Sequence, residues 1–367
     1  MTLAQRGNDP SGRTSVFVNA VGTATPTQRY TKADCWRAFA ASDWFNRLEP
    51  RALAVARAVL TRDNGIEARH LALDSLDEVF TIDADVLHAR FATHAPALAQ
   101  LAGRRALEQC GLPARSVDAI VVSTCTGYLC PGLSGYVAEA LGLRPDIGAY
   151  DLVGQGCAAA LPNWQVAEGL LACGRARHVL SVCVEVSSAA MYLDNDPGVL
   201  ISACLFGDGA GAAVLSSEPL PRQRPLQVMT AASHLAPEAR EALRFQSRGG
   251  LLRNVLTRHV PQLAAEHASK LLDETLRPAG LQREDIAAWI VHSGGRDVLL
   301  AVQDAFGVQA DALAFSASIL REYGNLSSAT VYFVLAAALA QQAPAGWWWM
   351  TSFGAGFSCH GALLRAQ

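Results

Sequence analysis

The chain has 367 residues, 51% of them hydrophobic, 17% charged and 7% aromatic, and carries a formal net charge of −3. That composition excludes a disordered chain, a collagen-like fibre and a small stapled scaffold, and leaves room for one large core or two fused side by side. With no excess of basic residues, there is no global field that would attract nucleic acid.

Nine cysteines stand at positions 35, 110, 125, 130, 157, 173, 183, 204 and 359, an odd number with no Cys-x-x-Cys pair. This pattern predicts thiols in a reducing compartment, not a zinc site or a disulfide framework. Residues 1–10 lack the apolar stretch of a signal peptide. The longest apolar run, 331–340, is half of the roughly 20 residues a spanning helix needs. The expectation is a cytoplasmic protein with no membrane span.

In chain order, the apolar runs predict a strand over 15–21, a helix over 96–109, a strand over 119–123 and a helix over 164–173. Strands follow over 178–185, 210–215 and 226–231, then a helix over 261–276, a strand over 288–292, a helix over 328–341 and a strand over 347–352. Short strands rich in Val and Ile, alternating with helices, suit sheets covered on both faces. The class is α/β.

The chain also repeats itself. Gly111-Leu-Pro-Ala-Arg-Ser-Val-Asp-Ala-Ile-Val-Val-Ser123 resembles Gly280-Leu-Gln-Arg-Glu-Asp-Ile-Ala-Ala-Trp-Ile-Val-His292. Gly156-Cys157 faces Gly324-Asn325, and Phe206-Gly-Asp-Gly faces Phe353-Gly-Ala-Gly, in the same order. Two similar halves follow, residues 1–220 and 221–367, joined by a linker over 216–224. Packed about a pseudo-twofold axis, such halves bring Cys157, His292 and Asn325 together.

Cys157 lies in Gly154-Gln-Gly-Cys-Ala-Ala-Ala160, where glycines free the backbone for a tight turn. A thiol at a helix start, paired with the imidazolium of His292, is expected to be largely thiolate, with a pKa of ~4–6 instead of ~8.5. Pro162 requires the helix to begin near Leu161 or to open with an irregular turn. Asn325, in Tyr323-Gly-Asn-Leu-Ser-Ser-Ala329, precedes an alanine-rich run, and Asn favours a cap there. His292 and Asn325 together could donate hydrogen bonds to an oxyanion.

These residues carry a family resemblance. Gly154-Gln-Gly-Cys157, Leu205-Phe-Gly-Asp-Gly-Ala210, His292-Ser-Gly-Gly295, Gly324-Asn-Leu-Ser-Ser-Ala329 and Ser352-Phe-Gly-Ala-Gly356 stand in the order of the type III polyketide synthases. The chain resembles this chalcone and stilbene synthase-like group over almost all of 15–364. The resemblance implies a thiolase-like fold of two pseudo-symmetric halves in α/β/α/β/α layers, and a homodimer. It implies that Cys157 takes an acyl-CoA starter, while His292 and Asn325 bind malonyl-CoA and stabilise the enolate formed by its decarboxylation. That enolate condenses with the starter, and the iterated product cyclises. CoA thioesters are substrates, and neither cofactor nor metal is implied. Phe206 matches the residue that gates the junction of CoA tunnel and pocket. Cys125, Thr126, Cys130, Ser187, Ala190, Ser327 and Phe353 match positions around the pocket.

Departures from the family pattern bear on the product. Ser293 stands where many relatives have proline, Ala355 also replaces a proline, and Cys130 stands where plant members carry methionine. Small residues follow Glu185, and Gly156-Cys-Ala-Ala-Ala-Leu-Pro-Asn163 is similar to bacterial alkylresorcinol and alkylpyrone synthases. Together they point to a long fatty acyl starter and a pyrone or resorcinol-type product, with an aromatic or short starter as the alternative. For CoA, Arg57 and Arg62 precede Ile66-Glu-Ala-Arg69, with Asp63 where plant members place lysine.

Plainer readings cover the remaining residues. Cys35, Cys110, Cys173, Cys183, Cys204 and Cys359 read as small hydrophobes, Asp208 as a turn former, and Trp347-Trp-Trp349 as a buried strand. A ketoacyl-carrier-protein synthase would show a His-Gln-Ala-Asn motif instead of His292-Ser-Gly-Gly295. A hydroxymethylglutaryl-CoA synthase would need a glutamate near the nucleophile, and a catalytically silent scaffold would not need all three of Cys157, His292 and Asn325.

Overall fold

A computed structural model describes residues 14–221 and 224–367. The N-terminal stretch and two residues of the expected linker therefore lie outside the described residues. Strands β1 (Val16–Ala24), β2 (Arg29–Thr31), β3 (Ala68–His70), β4 (Ala119–Ser123), β5 (Gly148–Leu152), β6 (His178–Glu185) and β7 (Gly209–Ser216) belong to the first half. Strands β8 (Leu226–Leu235), β9 (Leu243–Arg248), β10 (Leu251–Leu256), β11 (Ile286–Val291), β12 (Gly346–Gly354) and β13 (Ser358–Ala366) belong to the second.

Nine of these strands form one sheet in the order β11-β12-β13-β8-β1-β7-β6-β4-β5. The duplication is visible in its topology. Outward from the centre, β1 pairs antiparallel with β7, β7 antiparallel with β6, and β6 parallel with β4. In the other direction, β8 pairs antiparallel with β13, β13 antiparallel with β12, and β12 parallel with β11. The first strands of the two halves meet antiparallel, with Val16 opposite Val228 and Val18 opposite Leu226. A twofold axis through that junction relates the halves, and β5 is the extra edge strand of the first.

The two helices that follow the glycine motifs form the middle layer. Ala160–Ala172 and Thr330–Ala340 share one buried cluster with both wings of the sheet, including Leu161, Trp164, Tyr332 and Leu335. Trp164 Nε1 donates to Tyr332 Oη at 3.0 Å, so these central helices are hydrogen-bonded as well as packed. Ala84–Cys110 covers the outer face of the first half. Val260–Leu276 and Arg296–Phe306 cover the outer face of the second. The layers are thus helix, sheet, helix, sheet, helix. Among the described residues no helix is long and apolar enough to cross a membrane.

The expected strands are present, with bounds extended by one to four residues in several cases. The helix expected from Pro96 begins at Ala84 and carries Pro96 inside it. Asp83 caps it by accepting from the backbone N–H of Asp85 and Val86. Leu87, Phe91, Leu98 and Ala102 bury one face, which offsets the backbone bond a mid-helix proline forfeits. Edge strand β5 escaped the sequence reading because its residues alternate without an apolar run and Tyr150 and Asp151 are exposed.

Candidate active site

Cys157 lies in a short 3₁₀ turn, Gly156–Ala158, and the α-helix starts at Ala160 with Pro162 in its first turn. Both readings of Pro162 therefore hold: an irregular turn comes first and the regular helix follows. Gly156 has φ 54, and a Cβ there would sit 3.1 Å from the Ala355 nitrogen. Only glycine allows the turn to bring Cys157 this close to the second half. Ser352 Oγ ties the same turn to β12 by donating to the Ala158 carbonyl at 3.1 Å.

The second half supplies the partners. His292 follows β11, and its backbone N–H donates to the Thr351 carbonyl at 3.0 Å. Its ring meets Phe353 edge-on, with centroids 5.3 Å apart. Asn325 Nδ2 donates to the Gly294 carbonyl at 3.1 Å, while its Oδ1 accepts from the Ser327 N–H at 2.8 Å. This fixes the carboxamide and leaves a second Nδ2 hydrogen to offer. Ser327 takes a left-handed backbone, φ 51, unusual for a residue with a side chain. Such strain is retained where the surroundings over-determine it, often at functional sites.

Cys157, His292 and Asn325 all line one cavity of about 370 Å³, together with Phe206 and Phe353. Arg258 and Arg296, both exposed, border it at its solvent end. An inner cavity lies beyond, lined by Cys125, Thr126, Ser187, Ala190, Met191 and Ser327 among others. Phe206, Phe245 and Asn254 line both spaces, so they stand between them.

The electrostatics depart from the sequence expectation. Burial pushes the Cys157 thiol up to about 12 and the His292 imidazolium down to about 3. Burial thus favours a neutral thiol and a neutral imidazole, not the expected standing ion pair. The reason is desolvation: both groups are shut away from water, and the helix start that was to stabilise a thiolate is a 3₁₀ turn. The hydrogen bond to the sulfur comes from Ser327 Oγ, at 3.3 Å.

Glu185 was not singled out from sequence as a site residue. It ends β6 fully buried, and its carboxyl accepts from the Cys125 N–H and from Thr126 Oγ1, each at 3.0 Å, while Ser327 Oγ, whose one hydrogen is shared between Cys157 Sγ and this carboxyl, lies 3.3 Å away. Ser328 Oγ donates to it as well, and Cys125 Sγ lies 3.4 Å away. Burial raises its pKa, and these donors oppose the rise. A lone acid closing an otherwise apolar strand, followed by small residues, was the available signal.

The remaining expected residues divide. Cys125, Thr126, Ser187, Ala190 and Ser327 line the inner cavity, and Phe353 lines the outer one. Cys130 is exposed and lines none of these spaces within the single chain. Arg57 lies over the Trp36 ring at 5.7 Å, and neither Arg57 nor Arg62 borders the cavity; Arg258 and Arg296 do. Arg69 is buried, donating to the Ala203 and Phe206 carbonyls at 2.7 and 2.9 Å, so it props the Phe206 backbone. Asp208 is likewise structural, accepting from the Ala72 and Ser188 N–H groups at 2.7 and 2.8 Å.

Comparison with known proteins agrees with this geometry. Residues 85–232 match the family described as FAE1/type III polyketide synthase-like protein, and residues 227–367 match the chalcone and stilbene synthase C-terminal domain. A 1,3,6,8-tetrahydroxynaphthalene synthase of Streptomyces peucetius subsp. caesius is 32% identical over 352 residues, spanning 95% of this chain and 92% of the relative. The crystal structure of PKS-I from the brown alga Ectocarpus siliculosus superposes with a TM-score of 0.88 at 25% identity, covering 98% of this chain and 100% of that one. The chain therefore belongs to the type III polyketide synthases, the chalcone and stilbene synthase family of acyltransferases that catalyse condensations.

Proposed function

We propose that Cys157 carries the growing acyl chain while His292 and Asn325 bind the malonyl thioester. The observation that supports this is the convergence of these three side chains, from both halves, on one cavity. In loading, the thiol proton passes to the imidazole and the sulfur attacks the thioester carbonyl. The C–S bond to Cys157 forms, the bond to CoA sulfur breaks, and the imidazole returns the proton to the departing CoA thiolate. The neutral imidazole N–H and the free Asn325 N–H then meet the carbonyl oxygen of malonyl-CoA. As CO2 leaves, negative charge gathers on that oxygen, where fixed donors in a dry site act most strongly. The resulting enolate carbon attacks the acyl carbonyl and releases the Cys157 sulfur for another round.

CoA phosphates fit the exposed Arg258 and Arg296 at the cavity's outer end. The chain acts as a homodimer in this reading. An open recess of about 730 Å³ lies beside the loop of Cys125, Gly127 and Tyr128, where Tyr128 and Val153 are exposed and suited to a second copy. Phe206 gates the passage into the inner cavity.

For the starter, a long acyl-CoA is the reading we favour, cyclised to a pyrone or resorcinol-type product. A further apolar cavity, lined by Phe39, Leu60, Leu76, Val79, Leu200 and neighbours, shares Met191 and Ala203 with the inner one. An alkyl tail passing these two residues would reach a space lined mainly by hydrocarbon, with Arg69, Cys35 and Cys204 also on its wall. The second reading is a tetrahydroxynaphthalene product, favoured by the 32% identical relative. Mass spectrometry of products from malonyl-CoA alone and with acyl-CoAs of increasing length tests both. Alkylated products with long starters uphold the first reading; tetrahydroxynaphthalene from malonyl-CoA alone, with no alkylated product, overturns it.

A further inference from the structure

Asn254 is the polar member of the trio that stands between the two cavities and lines both, beside Phe206 and Phe245. It lies on β10, 5% exposed. Its Nδ2 donates to Ser202 Oγ at 2.8 Å. Ser202 Oγ in turn donates to the Gly198 carbonyl at 2.7 Å, so its hydroxyl hydrogen is committed and it can only accept from Asn254. The carboxamide orientation is thereby set, and Oδ1 is an acceptor. Among the described residues that Oδ1 has no hydrogen-bond partner, although it is buried. Ser187 Oγ, lining the inner cavity, is also buried without a partner. Native folds rarely leave buried acceptors orphaned, and because Asn254 lines both cavities, a donor that enters them is the partner its Oδ1 lacks.

We propose that Asn254 is a positioning residue for the growing chain, its Oδ1 accepting a hydrogen bond from an enol hydroxyl of the poly-β-keto intermediate. The inference rests on the condensation chemistry assigned above and adds a residue to it. Each condensation places a further carbonyl two carbons along, and such 1,3-dicarbonyl units enolise to give a hydroxyl donor. A saturated acyl tail offers no donor, so Oδ1 favours polyketide over alkyl at the passage. The pantetheine arm carries amide N–H donors of the same class. It approaches Cys157 from the solvent end, however, whereas Asn254 also borders the inner cavity. Held through Oδ1, the chain stays extended for another round instead of folding back to release early.

The experiment compares wild type, Asn254→Leu, Asn254→Asp and Ser202→Ala, supplied with malonyl-CoA and octanoyl-CoA. Product lengths, the KM for malonyl-CoA, and the acyl–Cys157 species by intact mass are measured together. Leucine removes the acceptor at similar size, aspartate retains it, and Ser202→Ala frees the carboxamide to turn. The expected result is a roughly 3- to 10-fold fall in the ratio of longest to shortest product for Asn254→Leu. Aspartate restores the ratio, Ser202→Ala gives a smaller fall, and the KM stays put. Should Asn254→Leu not fold, the Ser202→Ala ratio decides. An unchanged ratio overturns the proposal, as does a several-fold rise in KM, which would assign Oδ1 to the pantetheine amide. Absence of an acyl–Cys157 species in wild type would instead refute the underlying condensation reading.

Discussion

Phe206 and Asn325 come from opposite halves of the chain and are joined by a backbone bridge: the Asn325 N–H donates to the Leu205 carbonyl, and the Gly207 N–H to the Asn325 carbonyl, each at 3.0 Å. The backbone beneath the Phe206 ring is thus fixed to the backbone that carries the Asn325 carboxamide. The bridge depends on Gly207, where a Cβ would lie 2.3 Å from the Tyr323 carbonyl oxygen. Gly207→Ala should lower stability by about 1–3 kcal/mol and impair CO2 release from malonyl-CoA, because Asn325 moves with the strain. Thermal melts and a decarboxylation assay check both; a neutral variant would show that the bridge is dispensable.

Cys157→Ala should abolish the acyl–enzyme species seen by intact mass after incubation with an acyl-CoA. His292→Ala or Asn325→Ala should each slow CO2 release from malonyl-CoA by about 10²–10³, the usual cost of losing one preorganised oxyanion donor. Undiminished release from either variant would remove that residue from the decarboxylation site.

The pH behaviour of the nucleophile follows from burial. With the thiol pushed up to about 12 and the imidazolium down to about 3, iodoacetamide should alkylate Cys157 at a rate that climbs steadily from pH 6 to pH 9. A plateau across this range would mean a standing thiolate–imidazolium pair and would contradict the neutral site.

Glu185 gives a stability signature of definite sign. Burial holds its folded pKa above the ordinary range of a glutamate carboxyl, so the folded state holds the proton more tightly than the unfolded one. Its contribution is fully present below the unfolded pKa and is lost as pH rises through the folded value. The stability difference, wild type minus Glu185→Gln, should therefore shrink over that window in denaturant titrations at several pH values. A difference that grows with pH would reverse the assignment.

The walls of the inner cavity set acyl length in the proposed reading. Ala190→Phe should shorten the accepted starters. Met191→Ala, which removes side-chain volume from the wall shared with the apolar cavity, should lengthen them. Competition between hexanoyl-, dodecanoyl- and palmitoyl-CoA reads both, and unchanged profiles would exclude that route for the tail.

Local sequence alone determined the strands with continuous apolar runs, such as β4 and β6, and the two helices after the glycine motifs. It also determined the duplication, because the order of elements repeats along the chain. Cys157, His292 and Asn325 were legible because each follows a glycine motif or ends an apolar strand. Only the tertiary structure decided what surrounds them. Glu185 reads as a strand's last residue until Cys125, Thr126, Ser327 and Ser328 gather on its carboxyl from distant segments. Asn254 lies in a stretch for which the sequence suggested no element, and only the fold shows it buried with Oδ1 unpartnered. Protonation was equally out of reach, since a thiol's pKa follows from how completely the fold removes water, and desolvation is a sum over neighbours that no local stretch contains.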